Sequence, residues 1–377
     1  MYIRSKLSSE LPHNKDIPGS YEWWYFDALS ADKKWAIVII FYEGNPFSPA
    51  YIKAQLENNT TKRLEGDTVN TAANASSFPA ISVSIYNTQK AEYYSFLEYA
   101  PDRLNSQNEP FSISLGSNIF ERRVLDEKIE YEIILNQMLD SGYQLRGRIK
   151  FVHETDNMQK STDFNSLLKK PEPTHYQHAW NLIQPRAGVI GNLVLDGRTD
   201  MYNIALNGLG YHDHNVGFEP LKDSFKDWYW GRVHFIDYTL VYYLMNTKDG
   251  VEKKAWLFPV EAESPKLNIR EIELSDKAAN RHGLQAFRRI TMKGPGVTCE
   301  VLTDQIIDDG PFYQRYFSEV TLKTGQTKRT QRGMSEYIIP ERIYDRKYWW
   351  MINMRLRYLS KKAHWVQKSR LLYPRTW

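Results

Sequence analysis

Tyr143-Gln144-Leu145-Arg146-Gly147-Arg148-Ile149 alternates polar residues with apolar residues or glycine, one by one. Extended chain turns that pattern into one apolar and one polar face, because strand side chains alternate with a period of two. Phe111-Ser112-Ile113-Ser114-Leu115 repeats the pattern. Outward from these two segments, short aromatic and β-branched runs recur between turn residues. They fall at residues 35–42, 81–86, 93–99, 129–135 and 143–152. A second series covers 189–195, 201–206, 228–245, 255–260, 287–292, 298–307 and 313–323. Strands at roughly ten-residue spacing predict an all-β chain of antiparallel sandwiches or barrels. No strand–helix–strand rhythm interrupts them, and no glycine-rich phosphate loop opens a helix. The polar stretch 153–185 carries Pro171, Pro173 and Pro185 and reads as a connection, with 154–170 as a surface loop. The expected division is therefore residues 1–185, residues 186–345 and a tail, 346–377.

The chain has 377 residues, room for two domains. Aromatics make up 14%, including 25 Tyr and 11 Trp. Two readings fit that excess: strand propensity, or a cavity lined for a large apolar ligand. The single cysteine, Cys299, excludes an intrachain disulfide and fits a reducing compartment. Met1–Glu10 is polar and has no apolar signal core, and no run is long enough for a membrane-spanning helix. A cytoplasmic protein is expected on those grounds. The net charge of +4 is concentrated in the tail, where nine Lys or Arg and no Asp or Glu follow Tyr344-Asp345. There Ile352, Leu356, Leu359, Ala363 and Val366 recur at spacings of three and four, which predicts an amphipathic helix with Arg357, Lys361 and Lys368 opposite. Together with Trp349, Trp350 and Trp365 this fits peripheral binding to an anionic membrane; a helix packed on the barrel is the alternative. No recognised module accompanies the charge, so no nucleic-acid partner is expected.

Three constellations can carry chemistry. Gly208-Leu209-Gly210-Tyr211-His212-Asp213-His214-Asn215-Val216-Gly217 sets five polar side chains in a row. If extended, it places Tyr211, Asp213 and Asn215 on one face and His212 and His214 on the other. An Asp in an apolar setting is pushed toward its neutral form, which can act as a general acid. The rival reading gathers His212, Asp213 and His214, with the histidines near residue 178, around a metal. Alternation points Asp213 away from His212 and His214, and no Cys pair or His-Glu-x-x-His helix supports a metal, so none is expected. His178 and Trp180, two apart in His178-Ala179-Trp180, put an imidazole beside an indole whose face attracts cations. Gly19–Ala28 contains Tyr21-Glu22-Trp23-Trp24-Tyr25-Phe26-Asp27, a strand bulky on both faces; taken alone it reads as packing. No Gly-x-Ser-x-Gly elbow suggests a hydrolase.

These pieces, with Trp228-Tyr229-Trp230-Gly231-Arg232, residues 311–317 and residues 333–343, resemble the carotenoid 1,2-hydratases (hydroxyneurosporene synthases) within the wider AttH-like, lipocalin-related group. They occur in family order from Gly19 to Ile343. The resemblance implies two tandem lipocalin-like β domains with a ligand site between them. It implies cofactor-free addition of water to an isoprenoid double bond, with an apolar isoprenoid as substrate. The family's His-x-Trp and Tyr-x-Asp pairs fall on His178 with Trp180 and on Tyr211 with Asp213. Trp24, Tyr25, Trp228 and Trp230 become candidates for lining the site, and His212, His214 and Asn215 for supporting it. Val216 stands where many relatives have Trp, which marks it as a candidate specificity position. Internal capture of the same carbocation, giving a cyclase, stays open. So do a pericyclase or isomerase acting on a polyene and a non-catalytic isoprenoid carrier.

Overall fold

The computed structural model describes residues 1–15, 17–65, 74–87, 92–125, 128–139, 142–154, 177–260, 269–369, 371–373 and 376. It is an all-β protein, as the alternation predicts. Two compact units divide it: Met1 to Leu221 together with Trp349–Thr376, and Lys222–Tyr348. The surface loop expected at 154–170 lies outside the described residues, apart from Glu154.

The first unit is built on a 14-stranded sheet. Its middle runs Trp35–Glu43, Tyr21–Ser30, Gly208–Gly217, His178–Asp196, Gln144–Glu154, Lys128–Met138, each antiparallel to the next. The sheet curls on itself. Tyr93 and Leu97, near one end of the strand order, share a buried cluster with Phe111, Ile113 and Leu115 near the other. The second unit is an eight-stranded antiparallel sheet around its own core of Tyr229, Leu240, Tyr242, Val301, Tyr316 and Tyr337. Residues 228–245, expected as one run, are two strands, Phe225–His234 and Tyr238–Thr247, paired as a hairpin.

Two expectations are corrected. The boundary at 185/186 falls inside the 19-residue strand His178–Asp196. Pro185 does not end that strand, because the register shifts on both sides of Gln184 and a bulge tolerates a residue without an N–H. The strand Gly208–Gly217, assigned to a second domain by the sequence, therefore sits in the middle of the first. The tail is not one long helix. Among its described residues only Trp349–Arg355 is α-helical; Arg357–Tyr358 then adds a parallel strand to the edge strand Glu92–Glu98, whose backbone groups are the stronger partner. Ile352, Leu356 and Val366 are buried as the spacing predicts, but Leu359 is exposed. The Arg355 guanidinium lies 3.6 Å from the Tyr94 ring centre, and the Tyr373 hydroxyl donates to the Arg355 carbonyl at 3.1 Å. Among the described residues no helix is long and apolar enough to cross a membrane.

Candidate active site

Strand Gly208–Gly217 is buried along most of its length, with Tyr21–Ser30 on one side and His178–Asp196 on the other. Register decides which side chains meet. Asp213 lies opposite Tyr25 and Leu182, and Asn215 lies opposite Trp23 and Trp180. Directly paired residues share a face, so Tyr211, Asp213, Asn215, Trp180, His178, Tyr21, Trp23 and Tyr25 form one surface.

On that surface the Asp213 carboxyl collects donors. Trp180 Nε1 and the Tyr211 hydroxyl both donate to Oδ2 at 2.7 Å, and Asn215 Nδ2 donates to Oδ1 at 3.0 Å. Oδ2 thus accepts two hydrogen bonds and Oδ1 one. Asn215 also reaches the His178 ring. His178 Nδ1 lies 2.9 Å from the Tyr21 hydroxyl. Burial, reinforced by nearby positive charge, pushes the His178 imidazole down to about 3, so the ring is neutral at pH 7. Trp180, Tyr211 and Asn215 thus converge on Asp213, and His178 meets Tyr21 beside them. Gly217 makes the last contact possible: a Cβ there would meet the Tyr21 ring at 2.2 Å. Tyr21 stacks on Trp23 at 5.2 Å between ring centres, and Trp23 is 6.0 Å from His178.

The opposite face tells a different story. His212, His214, Val216, Glu22 and Trp24 point the other way. His212 stacks on Phe26 at 3.9 Å, with Nδ1 2.8 Å from the Tyr25 carbonyl and Nε2 2.7 Å from Glu10 Oε1. Glu10 Oε2 also accepts from Arg122 at 2.6 Å and from the Tyr131 hydroxyl at 2.5 Å. Burial opposes charge on Glu10, yet His212, Arg122 and Tyr131 together hold its carboxyl below the usual range. His214 Nε2 is 2.7 Å from Glu22 Oε1, which also faces His13 Nδ1 at 2.8 Å; Lys15 bonds Oε2. Trp24 lies against His214 in the core and donates to the Glu10 carbonyl at 3.1 Å. Val216 packs with Tyr2 and Ala179.

One placement therefore differs from the sequence reading. Trp24 and Val216 are on the far side of the strand from Asp213, because even positions of both strands face the core. Asn215, expected to support the site, bonds Asp213 directly. Trp228 and Trp230 stand on Phe225–His234 in the second unit and are buried there. Tyr21 and Trp23 were missed. Applying the period of two to Tyr21-Glu22-Trp23-Trp24-Tyr25 would have found them, since its odd positions share the Asp213 face.

His13, Glu22 and His214 bring three potential ligand atoms within 4.8 Å of one another. Both Glu22 oxygens are already engaged, and the Lys15 ammonium, 2.9 Å from Glu43, already supplies a positive charge to Glu22. Arg4 adds another, 3.1 Å from His13 Nε2. The donor set is that of a buried ion network.

The fold is shared with known proteins. The crystal structure of CghA with Sch210972 superposes with a TM-score of 0.53 over 85% of this chain and 89% of that one, at 11% identity. The curled sheet carries a buried carboxyl and a neutral imidazole on one face, and the chain's relatives make it an enzyme of the hydratase class. The chain belongs to the carotenoid hydratase CrtC family, whose profile matches residues 74–366. It is 25% identical to the hydroxyneurosporene dehydrogenase of Chlorobaculum tepidum, over 92% of this chain and 89% of that protein. It is 26% identical to the acyclic carotenoid 1,2-hydratase of Thiocapsa roseopersicina, over 82% of this chain and 67% of that protein.

Proposed function

We propose that the protein adds water across a carbon–carbon double bond of an acyclic, apolar isoprenoid, with Asp213 as the acid. The observation that carries this is the triply hydrogen-bonded carboxyl of Asp213 on an aromatic face, in a chain of the carotenoid hydratase family. Asp213 gives its proton to the less substituted alkene carbon. The π electrons form the new C–H bond, and a tertiary carbocation remains. As the proton leaves, the charge developing on the carboxylate is met by the Trp180, Tyr211 and Asn215 donors, which act as preorganised dipoles. The ring faces of Trp23, Tyr21 and Tyr25 stabilise the cation, at roughly 0.5–2 kcal/mol each. Water then bonds to the cationic carbon. The resulting oxonium is so acidic that a neutral imidazole of low basicity suffices to take its proton, the role given to His178. Return of a proton to Asp213 closes the cycle, and no cofactor takes part.

Incubation with an acyclic carotenoid in H₂¹⁸O tests the reading. Mass spectrometry is expected to show one ¹⁸O per hydrated end, and the same reaction in D₂O one carbon-bound deuterium. Isomerised product with deuterium and no ¹⁸O would replace hydration by internal capture. Unchanged substrate would make the protein a carrier.

Such a substrate resides in membranes, and the tail supports docking there. Trp350, Trp365 and Leu371 are exposed while Met351, Ile352, Val366 and Tyr373 anchor their inner sides. Lys361, Lys362 and Lys368 lie in the same stretch of chain, which carries no Asp or Glu. Basic and aromatic groups so arranged favour an anionic interface, at about 1 kcal/mol per cation. Trp350→Ala with Trp365→Ala is expected to reduce co-sedimentation with phosphatidylglycerol vesicles about tenfold or more. Unchanged co-sedimentation would end the membrane role.

A further inference from the structure

We infer that the second unit holds a ligand site of its own, a cup for an amphipathic monoanion, lined by none of the residues of the Asp213 face and independent of the reaction proposed above. The cup has a volume of about 600 Å³, within the range of small-molecule pockets. Its floor is a stacked pair, Tyr229 and Tyr337, with ring centres 4.2 Å apart and planes inclined at 23°. The Phe287 backbone N–H donates to the Tyr229 hydroxyl at 2.7 Å and fixes that ring in place. Leu244, Leu274 and Phe287 supply apolar wall.

Charge selects the ligand class. Lys253, Lys277 and Arg342 line the cup against a single carboxylate, Asp227. The Arg342 guanidinium is held by the carbonyls of Pro311 at 2.9 Å and Gly283 at 2.7 Å, so it forms a rigid positive wall. The two lysines are less committed. Lys253 Nζ donates to the Ile272 carbonyl at 2.8 Å, which uses one of its three protons. Lys277 Nζ sits 5.5 Å from the Phe287 ring centre. Neither lysine makes a salt bridge among the described residues. Asp227 is half-buried, and burial raises its carboxyl above the usual range, with Lys277 and Lys226 opposing. An aromatic floor beneath an excess of ammonium groups suits a molecule with an apolar, flat body and one carboxylate or sulfonate head. A neutral polyene has no group for the lysines to meet, so the cup is not a second copy of the substrate site.

Two probes of nearly equal shape separate the charge from the shape: 1-anilinonaphthalene-8-sulfonate, an anion, and N-phenyl-1-naphthylamine, neutral. The full-length protein is titrated with each, with fluorescence as the readout. The double variant Lys253→Ala/Lys277→Ala is expected to weaken the anion tenfold or more and the neutral probe less than twofold. Lys253→Arg/Lys277→Arg is expected to restore the anion, which separates lost charge from disturbed folding. Saturating acyclic carotenoid is expected to leave the bound anion in place. Equal weakening of both probes, no change in the alanine variant, failure of the arginine variant to restore binding, or displacement by the carotenoid would each overturn the inference.

Discussion

Asp213→Asn should fold and lose about 10³-fold or more in kcat on an acyclic carotenoid, since general acid catalysis supplies about 10²–10⁴. The substitution keeps the shape of the side chain. Its amide oxygen can still accept from Trp180 Nε1 and the Tyr211 hydroxyl. The new NH₂ then confronts the Asn215 amide, which must turn to present its oxygen. A stability loss of about 1–3 kcal/mol is expected from that conflict, too little to unfold the unit. What the variant cannot do is give up a proton. Tyr211→Phe makes the complementary test: the ring stays, one donor on Oδ2 goes, and kcat falls about 10–100-fold, or about 1.4–2.7 kcal/mol in the barrier. Circular dichroism confirms the fold while the carotenoid assay reads turnover. If Asp213→Asn keeps more than a tenth of parental turnover, the acid assignment fails. A polyene-shaping isomerase, which would lean on Trp23 and Tyr21 instead, then becomes the better account.

Much of this site was legible because a strand has a simple rule. The period of two separated Tyr211, Asp213 and Asn215 from His212 and His214, and joined His178 to Trp180, before any contact was known. It said nothing about which strands lie alongside. Asp213 meets Trp180, 33 positions away, and Tyr25, far more distant in the chain, only because their strands pair with its own in register, and no local pattern carries that information. The same limit explains the misplaced boundary. Pro185 is a breaker by local chemistry, yet a bulge in a long central strand accommodates it. The tail illustrates a competition that periodicity cannot weigh. Its helical spacing is real from Trp349 to Arg355, but an open sheet edge at Glu92–Glu98 captures the next residues as strand. Trp24 and Val216 were misplaced for a different reason. The alternation that sorted the histidines was not carried through to them, and it points both to the core.

The histidines that first suggested a metal instead make the largest stability prediction. Glu22→Gln should destabilise the first unit by about 3–5 kcal/mol, the penalty for breaking a buried ion pair from one side. Glu22 is fully buried and takes donors from His13, Lys15 and His214. A neutral amide leaves the buried Lys15 ammonium with Glu43 alone. It also sets an NH₂ against His13 or His214. The pH dependence gives the test its sign. Hydrogen bonds from His13 and His214 and the Lys15 charge outweigh burial and hold the Glu22 carboxyl well below its ordinary 4.5. A depressed acid stabilises fully above the unfolded value and loses that contribution as pH falls toward the folded one. The gap between parent and Glu22→Gln should therefore be widest near neutral pH and narrow below about 4.5. Burial keeps His214 neutral below its ordinary 6.5, so the unfolded chain takes up protons that the fold refuses and the parent also weakens as acid is added. Glu98, which burial pushes up to about 7, works in the other direction. The difference between the two proteins cancels Glu98 and is the quantity to measure, by denaturant titration from pH 7 to pH 3. A gap that stays constant over that range would show that Glu22 acts through packing and not through its charge.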